Sequence, residues 1–269
     1  MAAGFQAYFD ESGIHQRARL CIVAGYVGSV RQWKQFEALW APYANSPEFH
    51  AKRFFSRDQV GRRVPPYADW DDAKAAAYLE QLLNAIRTVN VSPVGAIVNV
   101  QAFLGYSEEE RRYLTGGYQP RLGKWTHTGA PTKPYYAAFI KAVMSAIEQV
   151  KRRDWRVDFV FDQQDTIAPL ALQLYARIKK DWAVYDPKMA NKMGNIMFRA
   201  RKGAIALQAT DLLAYCWYQE VLRGRAASAD VHRVLKMQRK NTLVLFTKES
   251  MDKLLGLRPA TPGKTYTIP

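Results

Sequence analysis

Apolar positions recur along this chain with two periods, one of strands and one of helices. Alternation over residues 5–10 (FQAYFD) and 19–28 (RLCIVAGYVG) predicts two strands, joined by the short polar link 14–18 as in a hairpin. Further strands are expected at 93–100 (PVGAIVNV) and 155–162, with a short edge strand near 196–199. Helical spacing predicts helices over 31–41, 70–88, 135–151, 166–182, 205–223 and 229–239. Ser29 is the expected N-cap of the first, whose inward face carries Trp33, Phe36 and Trp40. Asp69 is the expected cap of the second, with Ala77, Leu79, Leu82, Leu83 and Ile86 turned inward. Residues 47–55 (PEFHAKRFF) read as a short extended or mixed piece.

Strands come early and then alternate with helices. That order predicts an α/β protein with a mixed sheet and helices on both faces. The run at 157–161 is apolar on both sides, as a central parallel strand requires. Ligand sites in such sheets lie at the carboxyl ends of strands. Residues 101–134 read as an irregular insertion. There Arg111, Arg112, Arg121, Lys124 and Lys133 are interleaved with Tyr106, Tyr113, Tyr118 and Trp125. Long ordered insertions of this kind often carry function. A single domain over 1–256 is expected, followed by a Pro-containing tail at 257–269.

Charge adds a partner. The chain of 269 residues has 39 Lys and Arg against 24 Asp and Glu, a formal net charge of +15. A strongly basic globular protein suits a polyanion, and nucleic acid is the first expectation. The two cysteines, Cys21 and Cys216, both fall in apolar elements and form neither a zinc spacing nor a disulfide framework. No charged-then-apolar leader opens the chain, and no run of about 18 apolar residues could span a membrane. A cytoplasmic protein without a membrane partner is expected.

Three acids stand where local physics disfavours them. Asp10 closes the first apolar strand, on the face of Gln6 and Tyr8. Asp162 closes the run at 157–161, with Asp165 as the better cap for the following helix. Asp211 lies among Leu207, Leu212, Leu213 and Ala214, sharing a helical face with Gln208 and Tyr215. A buried carboxylate is costly unless paired, hydrogen-bonded or bound to metal. Asp10, Asp162 and Asp211 are therefore the candidate metal ligands. Glu11 is either a solvent-facing turn residue or a catalytic acid. His50 shares a face with Glu48 if that piece is extended, and is either a structural histidine or a member of the site. Asp158 reads as structural or solvent-facing.

These motifs resemble the bacterial and phage family called domain of unknown function 3800, itself similar to the ribonuclease H-like superfamily. The resemblance rests on Asp10-Glu11-Ser12-Gly13, the Glu48-x-His50 piece, Asp162 and the Gln208-x-x-Asp211 helix, and spans residues 5 to about 220. It implies a ribonuclease H-like sheet of about five strands, with Mg²⁺ (or Mn²⁺) on Asp10, Asp162 and Asp211. Glu48 or Glu11 would stand in for the second-helix acid of ribonuclease H proper. The family often has Ser-Lys before its last helix, whereas this chain has Arg201-Lys202. The lysine fits that pattern and the serine does not.

The expected activity is metal-dependent hydrolysis of phosphodiester bonds in DNA or RNA. Asp10, Asp162, Asp211, Glu11, Glu48 and His50 would form the catalytic set. Arg201, Lys202, Gln208, Arg121 and Lys124 would contact substrate. The rival expectations are a nucleic-acid binder without turnover and an interaction protein of a defence or mobile-element system.

Overall fold

The computed structural model describes residues 4–15, 17–44, 47–119, 124–125, 129–151, 155–238 and 242–257. The framework is a six-stranded mixed sheet. The first strands, β1 (Phe5–Ser12) and β2 (Leu20–Ser29), form the expected hairpin, with Asp10 opposite Ala24. Then follow α1 (Val30–Trp40), the short α2 (Ala51–Phe55), α3 (Asp72–Val89) and β3 (Ser92–Asn99). Two short helices, α4 (Val100–Leu104) and α5 (Glu108–Leu114), lead to a minimal hairpin of β4 (Tyr118–Gln119) and β5 (Lys124–Trp125). The second half contains α6 (Tyr135–Gln149), β6 (Val157–Asp162), α7 (Ala168–Tyr185), α8 (Pro187–Lys192), β7 (Met193–Arg199) and α9 (Ala206–Arg223). It closes with α10 (Ala229–Lys236), β8 (Thr242–Phe246) and α11 (Lys248–Gly256).

The main sheet runs in the order β7-β6-β1-β2-β3-β8. β2 is antiparallel to both its neighbours, while β6, β7 and β8 each lie parallel to the strand they join. The chain first builds the β1-β2-β3 side and then crosses over to β6 and β7. The crevice at the carboxyl ends of β1 and β6 is thus a topological switch point, where open α/β sheets bind ligands.

Alternation along the strands creates two cores. Tyr8, Ile22, Ala24, Tyr26 and Val160 face α1, α3 and α9. Ala7, Phe9, Val23, Phe159 and Phe161 face α6 and α7. β2 is buried over nearly its whole length because both of its faces are covered. On the first face α9 packs against β1 and β2, and Trp33 donates its indole N–H to the Gln6 carbonyl at 2.9 Å. Phe9 stacks on Phe161 across the β1–β6 seam, with ring centroids 4.9 Å apart. That seam leads directly to Asp10 and Asp162.

Several local expectations change. The sheet has six strands, not about five, because β8 pairs parallel to β3. Asp71 rather than Asp69 caps α3, accepting from the Lys74 N–H, so the helix begins two residues later. The inward row then includes Ala75, while Ala77 is exposed. Asp165 does not cap α7; it accepts from the Gln163 amide, and Ile167 holds the cap position. Residues 101–114 are largely helical. Asn99 caps α4, and Ser107 with Glu110 forms a capping box at the start of α5. Two insertion arginines are engaged inside this layer. Arg111 donates to the carbonyls of Leu104 and Tyr106, and Arg112 to Glu108 and the Gly129 carbonyl. Residues 47–55 include one short helix, α2. The tail beyond Leu257 lies outside the described residues.

Gly13 ends β1 with φ of +77°, and a Cβ there would strike the Leu20 carbonyl oxygen. Both facts demand glycine at the turn that follows Asp10 and Glu11. Gly13→Ala is expected to cost about 2 kcal/mol through backbone strain and crowding. A lower urea midpoint, with unchanged slope, is the measurement that checks it.

Candidate metal centre

Three sequence-distant elements deliver carboxylates to one end of the sheet. Asp10 leaves β1 on the α9 face, one position past the Phe9–Phe161 pair. Asp162 leaves β6 beside it, paired with Arg199 of the edge strand. Asp211 comes down from α9, which packs across β1 and β2. All three are buried, with Asp10 only 1% exposed. Glu11 leaves the opposite strand face. Past the last β1–β6 pair, Phe9 with Phe161, its carboxylate still comes within 4.8 Å of oxygens from Asp10 and Asp162.

A single guanidinium sits among these acids. Arg201 begins the one-turn helix Arg201–Gly203 between β7 and α9. Its Nη2 lies 2.9 Å from Asp162 Oδ2 and 3.3 Å from Asp10 Oδ2, and its Nη1 lies 3.3 Å from Asp211 Oδ2. Its Nε also donates to Asp162 Oδ2 at 3.1 Å. Arg201 therefore occupies the centre that a cation would take. Burial alone would lower its basicity, but the surrounding carboxylates outweigh that and hold its pKa above the ordinary arginine range.

Asp211 does more than face Arg201. Its Oδ2 accepts the Ala51 backbone N–H at 2.6 Å and approaches His50 Nδ1 at 3.1 Å. Ala51 opens α2, so this carboxylate satisfies an otherwise unpaired donor at a helix start. Asp211 thus anchors the 48–55 segment to α9. His50 Nδ1 also lies 3.3 Å from Arg201 Nη1. One ring nitrogen can donate to Asp211 or accept from Arg201, but not both.

The electrostatics are unbalanced. Four carboxylates, Asp10, Glu11, Asp162 and Asp211, surround one guanidinium. Asp10 Oδ1 accepts the Glu11 N–H at 2.8 Å, while its Oδ2 is buried without a hydrogen bond. Desolvation pushes the Asp10 carboxyl well above the usual carboxylate range; Arg201 opposes this and the neighbouring acids add to it. Glu11 is pushed up to about 8, first by burial and then by Asp162, against the pull of Arg201 and a Gln164 hydrogen bond. The donor set is all oxygen, as hard divalent cations require. The buried, unbonded Asp10 oxygen and the surplus of negative charge both fit an ion here.

A cleft of about 650 Å³ opens onto this cluster, with Glu48, His50, Arg53, Asp162, Asp165 and Arg201 among its walls. The remaining expected residues divide. Glu48 and His50 stand at the mouth, Glu48 exposed. Lys202 is exposed beside Arg201. Gln208, expected to touch substrate, is instead 1% exposed and engaged in the core. It accepts from the Trp40 indole at 3.0 Å and donates to the Ala44 carbonyl at 3.2 Å. Its polar atoms satisfy neighbours of α1, so burial removes it from any substrate surface. Arg121 and the Lys124 side chain lie outside the described residues. Asp158 accepts the Asn195 N–H at 2.7 Å, beside the irregular step between β6 and β7, which is the structural of its two expected roles. Arg53 was missed by the sequence reading. Only the packing of α2 against α9 brings it to the cleft.

No family model matches this chain, and no curated protein or solved structure matches it either.

The raised acids give a pH signature. Glu11 binds its proton more tightly folded than unfolded, so stability is greatest below its unfolded pKa and falls as pH rises through about 8. In chelator, thermal denaturation is expected to move to lower temperature between about pH 5 and 8. Excess Mg²⁺ or Mn²⁺ should flatten that decline, because an ion favours the charged carboxylates. A melting temperature independent of pH in chelator would contradict the assigned burial.

Proposed function

We propose that this chain is a metal-dependent nuclease that hydrolyses phosphodiester bonds of DNA or RNA. The observation carrying this reading is the buried Asp10 oxygen that has no hydrogen bond, within a cluster of four carboxylates of which three share one guanidinium. It lies at the switch point of an α/β sheet, beneath an open cleft. The strand order β3-β2-β1-β6-β7, with β2 alone reversed, agrees with the resemblance to ribonuclease H-like proteins drawn from the motifs. The net charge of +15 supplies the attraction to a polyanion.

Asp10, Asp162 and Glu11 would hold Mg²⁺ or Mn²⁺, with Asp211 at the rim of the same cluster. When bound, the ion supplies Lewis-acid stabilisation of phosphoryl charge and acidifies water for attack. Arg53 and Arg201 bind the sugar-phosphate backbone at the cleft, with Lys202 exposed on the turn beside Arg201. His50 lies at the mouth against Asp211, 3.1 Å away, which orients its ring so that His50 can move a proton to or from the reacting oxygens. Glu48, exposed beside it, is the second group available for proton transfer at solvent. Among the described residues no helix is long and apolar enough to cross a membrane.

One observation favours a second reading. Arg201 already bridges Asp10, Asp162 and Asp211, and such an ion network can serve structure alone. A nucleic-acid-binding protein without turnover would then remain.

Incubation with single- and double-stranded DNA, RNA and hybrid, in Mg²⁺ or Mn²⁺ and in chelator, separates the two. Cleavage that needs the ion is expected, reduced about a hundredfold or more by Asp162→Asn, which removes a charge-stabilising group without touching the α2 anchor. Asp162→Asn with full activity would remove the cluster from the chemistry. Salt-sensitive binding with no cleavage in any ion would support the second reading.

A further inference from the structure

We propose that Arg201 is an exchangeable occupant of the carboxylate cluster: it fills the cation position in the free protein and moves onto a backbone phosphate when nucleic acid enters the cleft. This rests on the nuclease reading and adds an order to it, in which substrate binding opens the acids to metal.

Four observations carry it. First, the guanidinium contacts oxygens from β1, β6 and α9 at 2.9–3.3 Å, so a cation and Arg201 cannot both hold those oxygens. Second, Arg201 stands in the cleft wall with its side chain 20% exposed, while Asp10 beneath it is closed from solvent. Third, the turn that carries it is tied by short local bonds, Gly203 N–H to the Ala200 carbonyl and Ala204 N–H to the Arg201 carbonyl. A Cβ at Gly203 would meet nothing within 4 Å, so the outer side of this turn is open. Fourth, His50 Nδ1 is contested between Asp211 and Arg201. Departure of Arg201 leaves His50 free to donate to Asp211, compensating one of the bonds that Asp211 loses.

The chemistry of exchange is plain. A guanidinium fork matches phosphate as well as carboxylate, with two parallel N–H donors to either. Arg53, exposed on the same cleft, gives an incoming phosphodiester a second positive charge. As Arg201 leaves, four carboxylates lose their counter-charge and their affinity for a divalent ion rises. Linkage makes this reciprocal: nucleic acid strengthens metal binding by the same factor that metal strengthens nucleic-acid binding.

The experiment is a Mn²⁺ titration followed by electron paramagnetic resonance. It uses the full chain and Arg201→Gln, each with and without a short single-stranded oligodeoxynucleotide carrying phosphorothioate linkages, corrected for Mn²⁺ bound by the DNA alone. The parent should bind Mn²⁺ weakly alone and about tenfold more tightly with the oligonucleotide. Arg201→Gln should bind Mn²⁺ about tenfold more tightly without DNA, and the oligonucleotide should add little. Its melting temperature should be lower than the parent's in chelator and should rise more with Mn²⁺. Should Arg201→Gln not fold even with Mn²⁺, Arg201→Lys, which keeps the charge and loses the fork, should show a reduced effect of the oligonucleotide. Equal or weaker Mn²⁺ binding by Arg201→Gln, or an undiminished oligonucleotide effect in either variant, would overturn the exchange while leaving the metal centre standing. No Mn²⁺ binding by any protein under any condition would overturn both.

Discussion

The burial of negative charge at one end of the sheet is the constraint on which this structure turns. Asp10, Glu11, Asp162 and Asp211 come from three elements, and a single guanidinium bridges Asp10, Asp162 and Asp211. Each carboxylate alone would be costly in that setting, and four of them repel. Arg201 offsets part of this charge. The rest is met by proton uptake, by backbone donors such as Ala51 N–H and Glu11 N–H, or by a divalent ion. The surrounding architecture is arranged so that these alternatives compete.

That arrangement depends on stiff neighbours. The stacked Phe9–Phe161 pair fixes the β1–β6 seam one residue before the two aspartates, so their spacing is set by the core rather than by the site. Gln208 ties α9 to Trp40 and the Ala44 carbonyl one helical turn before Asp211, which fixes the depth of that helix. Asp211 in turn anchors α2, which carries Arg53 and ends the segment that holds His50. A site on rigid strands and a helix is thereby joined to a cleft wall made of short, locally bonded turns. The rigid part holds charge in place, and the proposed exchange falls on the short turns.

The two readings of Arg201, a permanent internal counter-ion or a temporary one, differ in what the cluster does when the guanidinium leaves. An exchangeable counter-ion needs access to solvent, and the cluster adjoins an open cleft of about 650 Å³. Asp10 Oδ2 has no hydrogen bond, while Arg201 binds Asp162 with two donors. This asymmetry points to carboxylates poised for a better partner than one arginine.

Much of this was legible in residue order alone. The hairpin, the capped α1 with Trp33, Phe36 and Trp40, the central run ending at Asp162 and the acid within α9 all follow from periodicity and from the cost of burying charge. Other features were present as signals but outweighed. The Ser107–Glu110 capping box lay inside a glycine-rich stretch that read as irregular, and β8 was too short for its pattern to stand out. Three decisions belonged to the tertiary structure. Arg201 became the centre of the cluster because β7 adds beside β6 and delivers the following turn over Asp162. Gln208, one turn from Asp211 on the same helix, was taken into the core because α1 presents an indole N–H and a nearby carbonyl that needed it. Glu11 joined the acids from the opposite strand face because the β1–β6 pairing stops at Phe9 and Phe161, so β6 no longer separates the two sides beside it. Local sequence dictates which residues are apolar and where elements begin; which charges meet is decided only when the strands are laid side by side.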